Sequence, residues 1–314
     1  MTDDTLNPEL KISDCWFLTG PTASGKTQVG MELAKRLDAE IISLDSMAIY
    51  VGMDIGTAKP SVEQRSLVPH HLIDIVSPDQ TYSVSDYVDA AQECIRDIRS
   101  RNKAVLFVGG TPLYLKSLLR GTFVGPPADE EFRQTIHDEI ERVGTEALHT
   151  RLQQVDPLSA SKLHPNDVRR IIRALEVHKA TGQPISHLQL QFEEARKAEN
   201  CRVFVLDWPR PTLHQRINER VDEMFDLGLV REVQELEDKS NLSRTARQAV
   251  GYAEVIANLA GEADLDFVVH RTKSRTRQFA KRQITWFRSL SECQWIARQN
   301  DQSAQEVADA IFAT

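Results

Sequence analysis

The first part of the chain alternates short apolar runs with helical periodicity. WFLTG (Trp16 to Gly20) ends in glycine and is followed by a helical pattern from Lys26 to Leu37. EIISL (Glu40 to Leu44) is a second β-rich run that stops at Asp45, and AVLFVGG (Ala104 to Gly110) is a third, leading into a predicted helix from Pro112 to Leu119. Continuous apolar strands interleaved with helices predict a parallel sheet covered on both faces. The Gly and Pro residues of GTFVGPPADEE (Gly121 to Glu131) mark a break. From there to about Asn200 the pattern is helical only, as in VRRIIRALEVHKAT, where Val168, Ile171, Ile172 and Leu175 share one side. RVFVLDW (Arg202 to Trp208) returns to strand, and helices are predicted to fill the rest. Residues 1–130 and 201–314 therefore read as two parts of one core, with 131–200 as a helical insertion domain.

A late segment changes the picture of charge. The 314 residues carry 38 Lys+Arg against 46 Asp+Glu, a formal charge of -8. Yet seven basic residues and no acidic one lie between Arg271 and Leu290. Phe279, Gln283, Trp286, Phe287 and Leu290 fall on one face there, and all but Gln283 are apolar. Such a helix is expected to dock by its aromatic side and turn its charges outward. Partners feel local field rather than net charge, so an acidic chain can still bind nucleic acid through it. With 41% hydrophobic and 27% charged residues, the chain is neither disordered nor fibrous. No run approaches the roughly 18 apolar residues of a membrane span. The polar start MTDDTLNPELKISD is unlike a secretory or transit signal, and Cys15, Cys94, Cys201 and Cys293 form no C-x-x-C pair. A cytoplasmic protein with free thiols, no membrane partner and a monomeric state is the expectation.

The chemistry enters at Gly20, Pro21, Thr22, Ala23, Ser24, Gly25, Lys26 and Thr27, which match G-x-x-x-x-G-K-[ST] between a strand and a helix. Glycines let backbone N–H groups turn around an anion at a helix N-terminus, Lys26 adds a point charge, and the Thr27 hydroxyl is placed to ligate Mg²⁺. A di- or triphosphate is implied. Asp45, at the carboxyl edge of the sheet, admits three roles: holding Mg²⁺ through water, general base, or helix N-cap with Ser46. Spacing alone does not choose among them.

Longer strings do. DSMAIYVGMDIGTAKP (Asp45 to Pro60), PHHLID (Pro69 to Asp74), YSVSDYVDAA (Tyr82 to Ala91), GGTPLYLKSLL (Gly109 to Leu119), HPNDVRRIIRALEV (His164 to Val177), HQRINERVDEM (His214 to Met224), QAVGYAE (Gln248 to Glu254) and TRQFAKRQITWFR (Thr276 to Arg288) resemble, in order, motifs of the tRNA dimethylallyltransferases, also called tRNA isopentenyltransferases. The resemblance spans about residues 15–290. It implies an α/β fold with a P-loop NTPase-like core and an all-helical insertion. It also implies transfer of the dimethylallyl group of dimethylallyl diphosphate to N6 of the adenosine 3′ of the anticodon, without ATP hydrolysis. The loop would then hold the leaving diphosphate with Mg²⁺, Asp45 would be the base, Thr111 would stand near the reacting centre, and Arg220 would reach the diphosphate, with Arg216 a second candidate.

For the tRNA itself, the resemblance implies contacts from Asp45, Ser46, Met47 and Ala48, from Thr111 and Arg133, and from Arg169, Arg170 and Arg173. Ala48 stands where many family members have Gln. Lys281 and Arg282 fit a phosphate-backbone role. Adjacent His70 and His71 point to different sides of an extended chain and suit no metal. Three rivals make other predictions. A P-loop kinase or ATPase leaves GMDIGTAKP unexplained; an adenylate isopentenyltransferase needs neither insertion nor basic helix; a non-enzymatic RNA-binding module has no use for Lys26 and Thr27. Eukaryotic relatives often append a zinc finger that is not seen here, which points to a bacterial-type enzyme.

Overall fold

A computed structural model of the chain describes residues 12–121, 125–194 and 201–314. The first residues of the polar start, residues 122–124 of the Gly/Pro break and residues 195–200 at the end of the expected insertion lie outside them. The chain divides into two compact units, Met1–Leu119 with Ala198–Thr314 and Arg120–Lys197.

The first unit is built on six parallel strands in the order β3-β2-β4-β1-β5-β6. They are β1 (Trp16–Thr19), β2 (Ala39–Ser43), β3 (His70–His71), β4 (Ala104–Val108), β5 (Arg202–Asp207) and β6 (Cys293–Ala297). Alternation along each strand sorts side chains onto two faces. Phe17, Ile42, Phe107, Val203 and Val205 meet Tyr87, Ala91, Ile95 and Ile98 of α3 (Val84–Ser100) and Tyr114, Leu115 and Leu118 of α4 (Pro112–Arg120). Leu18, Ile41, Leu106, Phe204 and Leu206 meet Val29, Met31, Leu33 and Ala34 of α1 (Lys26–Leu37). Both faces are covered, so the strands read as apolar runs rather than as alternation with polar residues. Between β2 and β3 lies the short α2 (Val62–Leu67).

Strand β6 corrects the expectation that only helices follow Trp208. CQWIA is a five-residue edge strand with two exposed residues, three half-buried and none fully buried, too weak a run to stand out. Strand β3 is only two residues, and its histidines have structural partners: His70 Nδ1 lies 2.7 Å from Val68 O and His71 Nε2 2.7 Å from Glu40 Oε2.

The second unit is helical throughout its described residues: α5 (Glu130–Val155), α6 (Pro157–Lys162), α7 (Val168–Thr181) and α8 (Ile185–Glu194). Ile171, Ile172, Leu175 and Val177 of α7 pack on Phe132, Ile136, Leu148 and Leu152 of α5. Asp156, fully buried, ties α6 to α8 by accepting from the N–H and hydroxyl of both Ser159 and Ser186.

The remaining helices return to the first unit: α9 (Arg210–Asp226), α10 (Leu229–Lys239), α11 (Arg244–Arg247), α12 (Tyr252–Leu259), α13 (Leu265–Arg288) and α14 (Ala304–Phe312). Helix α14 lies against α1 on the second face of the sheet.

Candidate active site

Four connections leave the carboxyl ends of β1, β2, β4 and β5 and meet over one edge of the sheet, where open α/β folds bind ligands. After β1 the loop must turn tightly. Gly20 has φ 145, and a Cβ there would lie 2.9 Å from Leu206 O. Gly25, φ 87, then opens α1. Ala23 also takes a left-handed φ of 63, and its carbonyl is held by Arg216 Nε at 2.9 Å. Trp208 Nε1 donates to Ser24 O at 2.9 Å, and the Arg216 guanidinium lies 4.7 Å over the Trp208 ring. Arg216 therefore braces the loop backbone.

Lys26 Nζ donates to Gly20 O at 3.0 Å and Pro21 O at 2.7 Å. Burial, then the positive charge of Arg220, pushes the ammonium down to about 7, while Asp45 pulls the other way. The Arg220 guanidinium is likewise lowered by burial and supported by Asp45 and Glu223. Its Nε is buried with no hydrogen-bond partner, as is the loop's Ser24 Oγ. Two cations are thus partly stripped of water over a loop of N–H donors. An anion entering here would gain their charge and satisfy an orphaned donor.

Asp45 follows β2. Its Oδ1 accepts from Met47 N at 2.8 Å and Ala48 N at 3.3 Å. These bonds close a turn rather than cap a helix, since the next helix begins only at Val62, and they orient a carboxylate within Coulombic reach of Lys26 and Arg220. Thr111, after β4, has its N–H on Leu44 O at 3.1 Å, while its hydroxyl accepts from Ser46 N at 3.0 Å. The sequence-selected phosphate loop, Asp45, Ser46, Thr111 and Arg220 are brought together. Ala48 is only 5% exposed, so that side chain can offer an RNA little.

The loop after Ala48 is fixed internally. Lys59 Nζ, with its side chain 2% exposed, donates to Tyr50 O at 2.6 Å and Asp54 Oδ1 at 2.7 Å and pairs with Asp74. Glu232 of α10 accepts from the N–H groups of Asp54, Ile55 and Gly56 and from the Tyr252 hydroxyl. The most distinctive string of the sequence, GMDIGTAKP, is therefore a loop-folding signature.

Helix α13 departs from expectation. Phe287, Leu290 and Gln283 are buried, but Phe279 and Trp286 are 37% and 39% exposed. The stripe is too wide for one contact, and only its Phe287 side enters the core. Several of its basic residues are bound: Lys273 to Asp222, Arg277 to Asn218, Arg275 to buried Glu254. Lys281 and Arg282 are exposed and pair with no carboxylate among the described residues. Gln283, the odd polar residue of the stripe, accepts from Thr22 N at 2.9 Å and donates to Gly110 O at 2.6 Å. Its role was not foreseen, although its polarity on an apolar face was the signal.

In the second unit, Arg133 and Arg173 converge on buried Glu176, Arg133 Nε at 2.9 Å. Arg170 pairs with Asp167 at 2.9 Å, and Arg169 is exposed.

Fold and site together define a P-loop-type α/β core with two buried cations and a carboxylate gathered at the carboxyl edge of its sheet. Among known families, the model described as IPP transferase matches residues 48–290. The tRNA dimethylallyltransferase of Rhodopirellula baltica is 49% identical over 96% of this chain and 92% of its own length. That of Geobacter metallireducens is 46% identical over 89% and 91%. Of solved structures, the full-length tRNA isopentenylpyrophosphate transferase of Bacillus halodurans superposes with a TM-score of 0.69 at 38% identity, covering 96% of both chains. A eukaryotic dimethylallyltransferase acting on tRNA gives 0.73 at 26% identity over 91% of this chain and 74% of that one. The chain belongs to the IPP transferase family, as its motifs led us to expect.

Proposed function

We propose that this protein moves the dimethylallyl group of dimethylallyl diphosphate onto N6 of the adenosine 3′-adjacent to the anticodon of tRNA, acting as a monomer. The observation that carries the reading is the gathering of two desolvated cations, Lys26 beside the phosphate loop and Arg220, within Coulombic reach of the Asp45 carboxylate. The cations suit a leaving group on which negative charge builds as the allylic C–O bond breaks. Asp45, held by the Met47 and Ala48 N–H groups, suits a weak amine nucleophile. N6 forms its bond to the allylic carbon, its proton passes to Asp45, and diphosphate leaves with the electron pair.

Thr111 fixes the Ser46 backbone beside Asp45 and offers its hydroxyl to the reacting centre. The loop Gly20–Thr27 would cradle the diphosphate. A Mg²⁺ ion prefers hard oxygen ligands, and the Thr27 hydroxyl in the first turn of α1, with the diphosphate oxygens, would hold it. Bound there, it would neutralise charge developing on the leaving group.

The target base must leave its stack, which costs a few kcal/mol and less in an anticodon loop. Asp45–Ala48 (Ala48 by its backbone) and Thr111, exposed Lys281 and Arg282, and the insertion (131–200) with Arg169, Arg170 and, by the exposed third of side chains whose charge Glu176 already holds, Arg133 and Arg173 are the proposed RNA contacts. No helix of the described residues is long and apolar enough to cross a membrane. Incubation of protein and Mg²⁺ with labelled dimethylallyl diphosphate, and separately with labelled ATP, each with tRNA, AMP or buffer, tests the reading. Label in tRNA alone is expected. Label in AMP would move the protein to free nucleotides, and turnover of labelled ATP without prenyl transfer would favour a kinase.

A further inference from the structure

Gln283 is the most consequential residue that the proposed chemistry leaves unused. It lies on α13, 4% exposed, on the buried side of the helix with Ala280 and Phe287. A primary amide in that position costs free energy unless both its ends are paired. They are, and to two different parts of the site. The carbonyl oxygen takes the Thr22 N–H at 2.9 Å, and the amide nitrogen gives a proton to Gly110 O at 2.6 Å. Thr22 belongs to the phosphate loop. Gly110 precedes Thr111, whose hydroxyl holds Ser46 beside Asp45.

Gly110 confirms how tightly the three parts meet. A Cβ there would fall 2.6 Å from Gln283 Nε2, 3.2 Å from Gly20 O and 3.6 Å from Lys26 Nζ. Only glycine leaves room for the amide. No other side chain supplies this pair of bonds from this place: Glu lacks the donor, Asn is one methylene short, and Met has neither end.

We propose that Gln283 is a positioning residue that keeps the phosphate loop in register with the Thr111 turn. The half of the site that takes the leaving diphosphate and the half that presents Asp45 are then held at a fixed spacing. The inference rests on the transfer reading above. It also implies that the Thr22 N–H, already occupied, is not among the donors offered to the diphosphate.

The test uses full-length wild type, Gln283→Met and Gly110→Ala, each melted to establish that it is folded. Binding of inorganic diphosphate with Mg²⁺ is measured by calorimetry, and kcat and KM for tRNA by label transfer. Because a small misplacement of reacting groups is costly, Gln283→Met is expected to lower kcat roughly 10- to 100-fold. Two unpaired backbone groups should loosen the loop enough to weaken diphosphate binding about 3- to 10-fold. KM for tRNA should stay within about twofold, since Lys281 and Arg282 are untouched. Gly110→Ala, which displaces the amide and leaves Gln283 in the chain, should give the same split and carries the test if Gln283→Met fails to fold. Folded variants with unchanged kcat and diphosphate affinity would overturn the proposal. So would a loss confined to KM for tRNA, which would make Gln283 an RNA contact. Wild type that binds diphosphate but transfers nothing to tRNA would sink the transfer reading alone; the ratio of diphosphate affinities would still decide the bridge.

Discussion

Each compact unit holds a pair of cationic side chains, and the two pairs are built in opposite ways. In the sheet unit, Arg220 has a buried Nε with no partner, and it shares its surroundings with Lys26, another cation that burial penalises. In the helical unit, Arg133 and Arg173 both close on the buried carboxylate of Glu176, which also accepts the Asp129 N–H. The first arrangement leaves a buried donor unsatisfied and two cations offset only in part by Asp45 and Glu223, a cost that an arriving anion would relieve. The second neutralises its charge and fastens α7 to the start of α5. Arginine content therefore says little about where a ligand binds; the state of satisfaction of each guanidinium says more.

The largest effect should come from the carboxylate facing the cations. Asp45→Ala is expected to lower transfer by about three orders of magnitude while tRNA affinity changes little, because a base works in the transition state. Unchanged turnover would remove Asp45 as the base and leave it the acceptor that closes the turn at Met47 and Ala48. Next comes the cation itself. Arg220→Met should cost roughly 100-fold in transfer, the scale of one lost donor to developing charge. Thermal stability should hold or rise, since a desolvated cation with an unsatisfied Nε is removed. A clear fall in the melting temperature would mean Arg220 is structural and would erase the contrast with Arg133 and Arg173.

A smaller effect concerns RNA affinity. Lys281 and Arg282 are exposed on α13, whereas Lys273, Arg275 and Arg277 on the same helix are bound to neighbours. Replacing both by Ala should flatten the slope of log affinity against log salt by about 1 to 1.5 if each contacts one phosphate of a single-stranded loop. The same double substitution at Arg275 and Arg277 should act mainly on folding. Equal slopes for wild type and the Lys281/Arg282 variant would return that stretch to a solvated face.

Much of this was legible before any coordinates. The apolar runs around Trp16, Glu40, Ala104 and Arg202 are strands because buried parallel strands are apolar on both sides, and the P-loop sat at the expected junction. The edge strands β3 and β6 were not legible, the first being only two residues long and the second carrying no fully buried residue. In the site, Lys26, Asp45 and Arg220 were found through motifs. Gln283, Glu232 and Trp208 were not, because their importance lies in backbone groups distant in sequence, 261 residues away for Gln283 and Thr22. A pairing of side chain with backbone leaves no spacing rule to read.

The smallest effect returns to Glu176 and is a matter of pH. Burial by itself would raise this carboxyl, but hydrogen bonds from Arg133, the Asp129 N–H and Arg173 outweigh it and hold the group below its ordinary 4.5. Asp156 lies below its ordinary 3.8 for a similar reason, with Ser186 and Ser159 overcoming the burial. A carboxyl lowered on folding adds stability that is fully present above its unfolded value and is lost as pH falls toward the folded one. The helical unit should thus loosen as pH drops from about 5 toward 3, before its helices lose any apolar contact. Hydrogen exchange on the full chain localises the effect, since α7 amides report on Glu176 and α1 amides serve as the reference. Glu176→Gln should expose α7 at neutral pH to nearly the degree wild type shows in acid, and should flatten the response below pH 5. If α7 in wild type keeps its protection down to pH 3, the arginines of the insertion are not held by Glu176 in solution. They would then be as open to an anion as Arg220, and the contrast between the two units would fail.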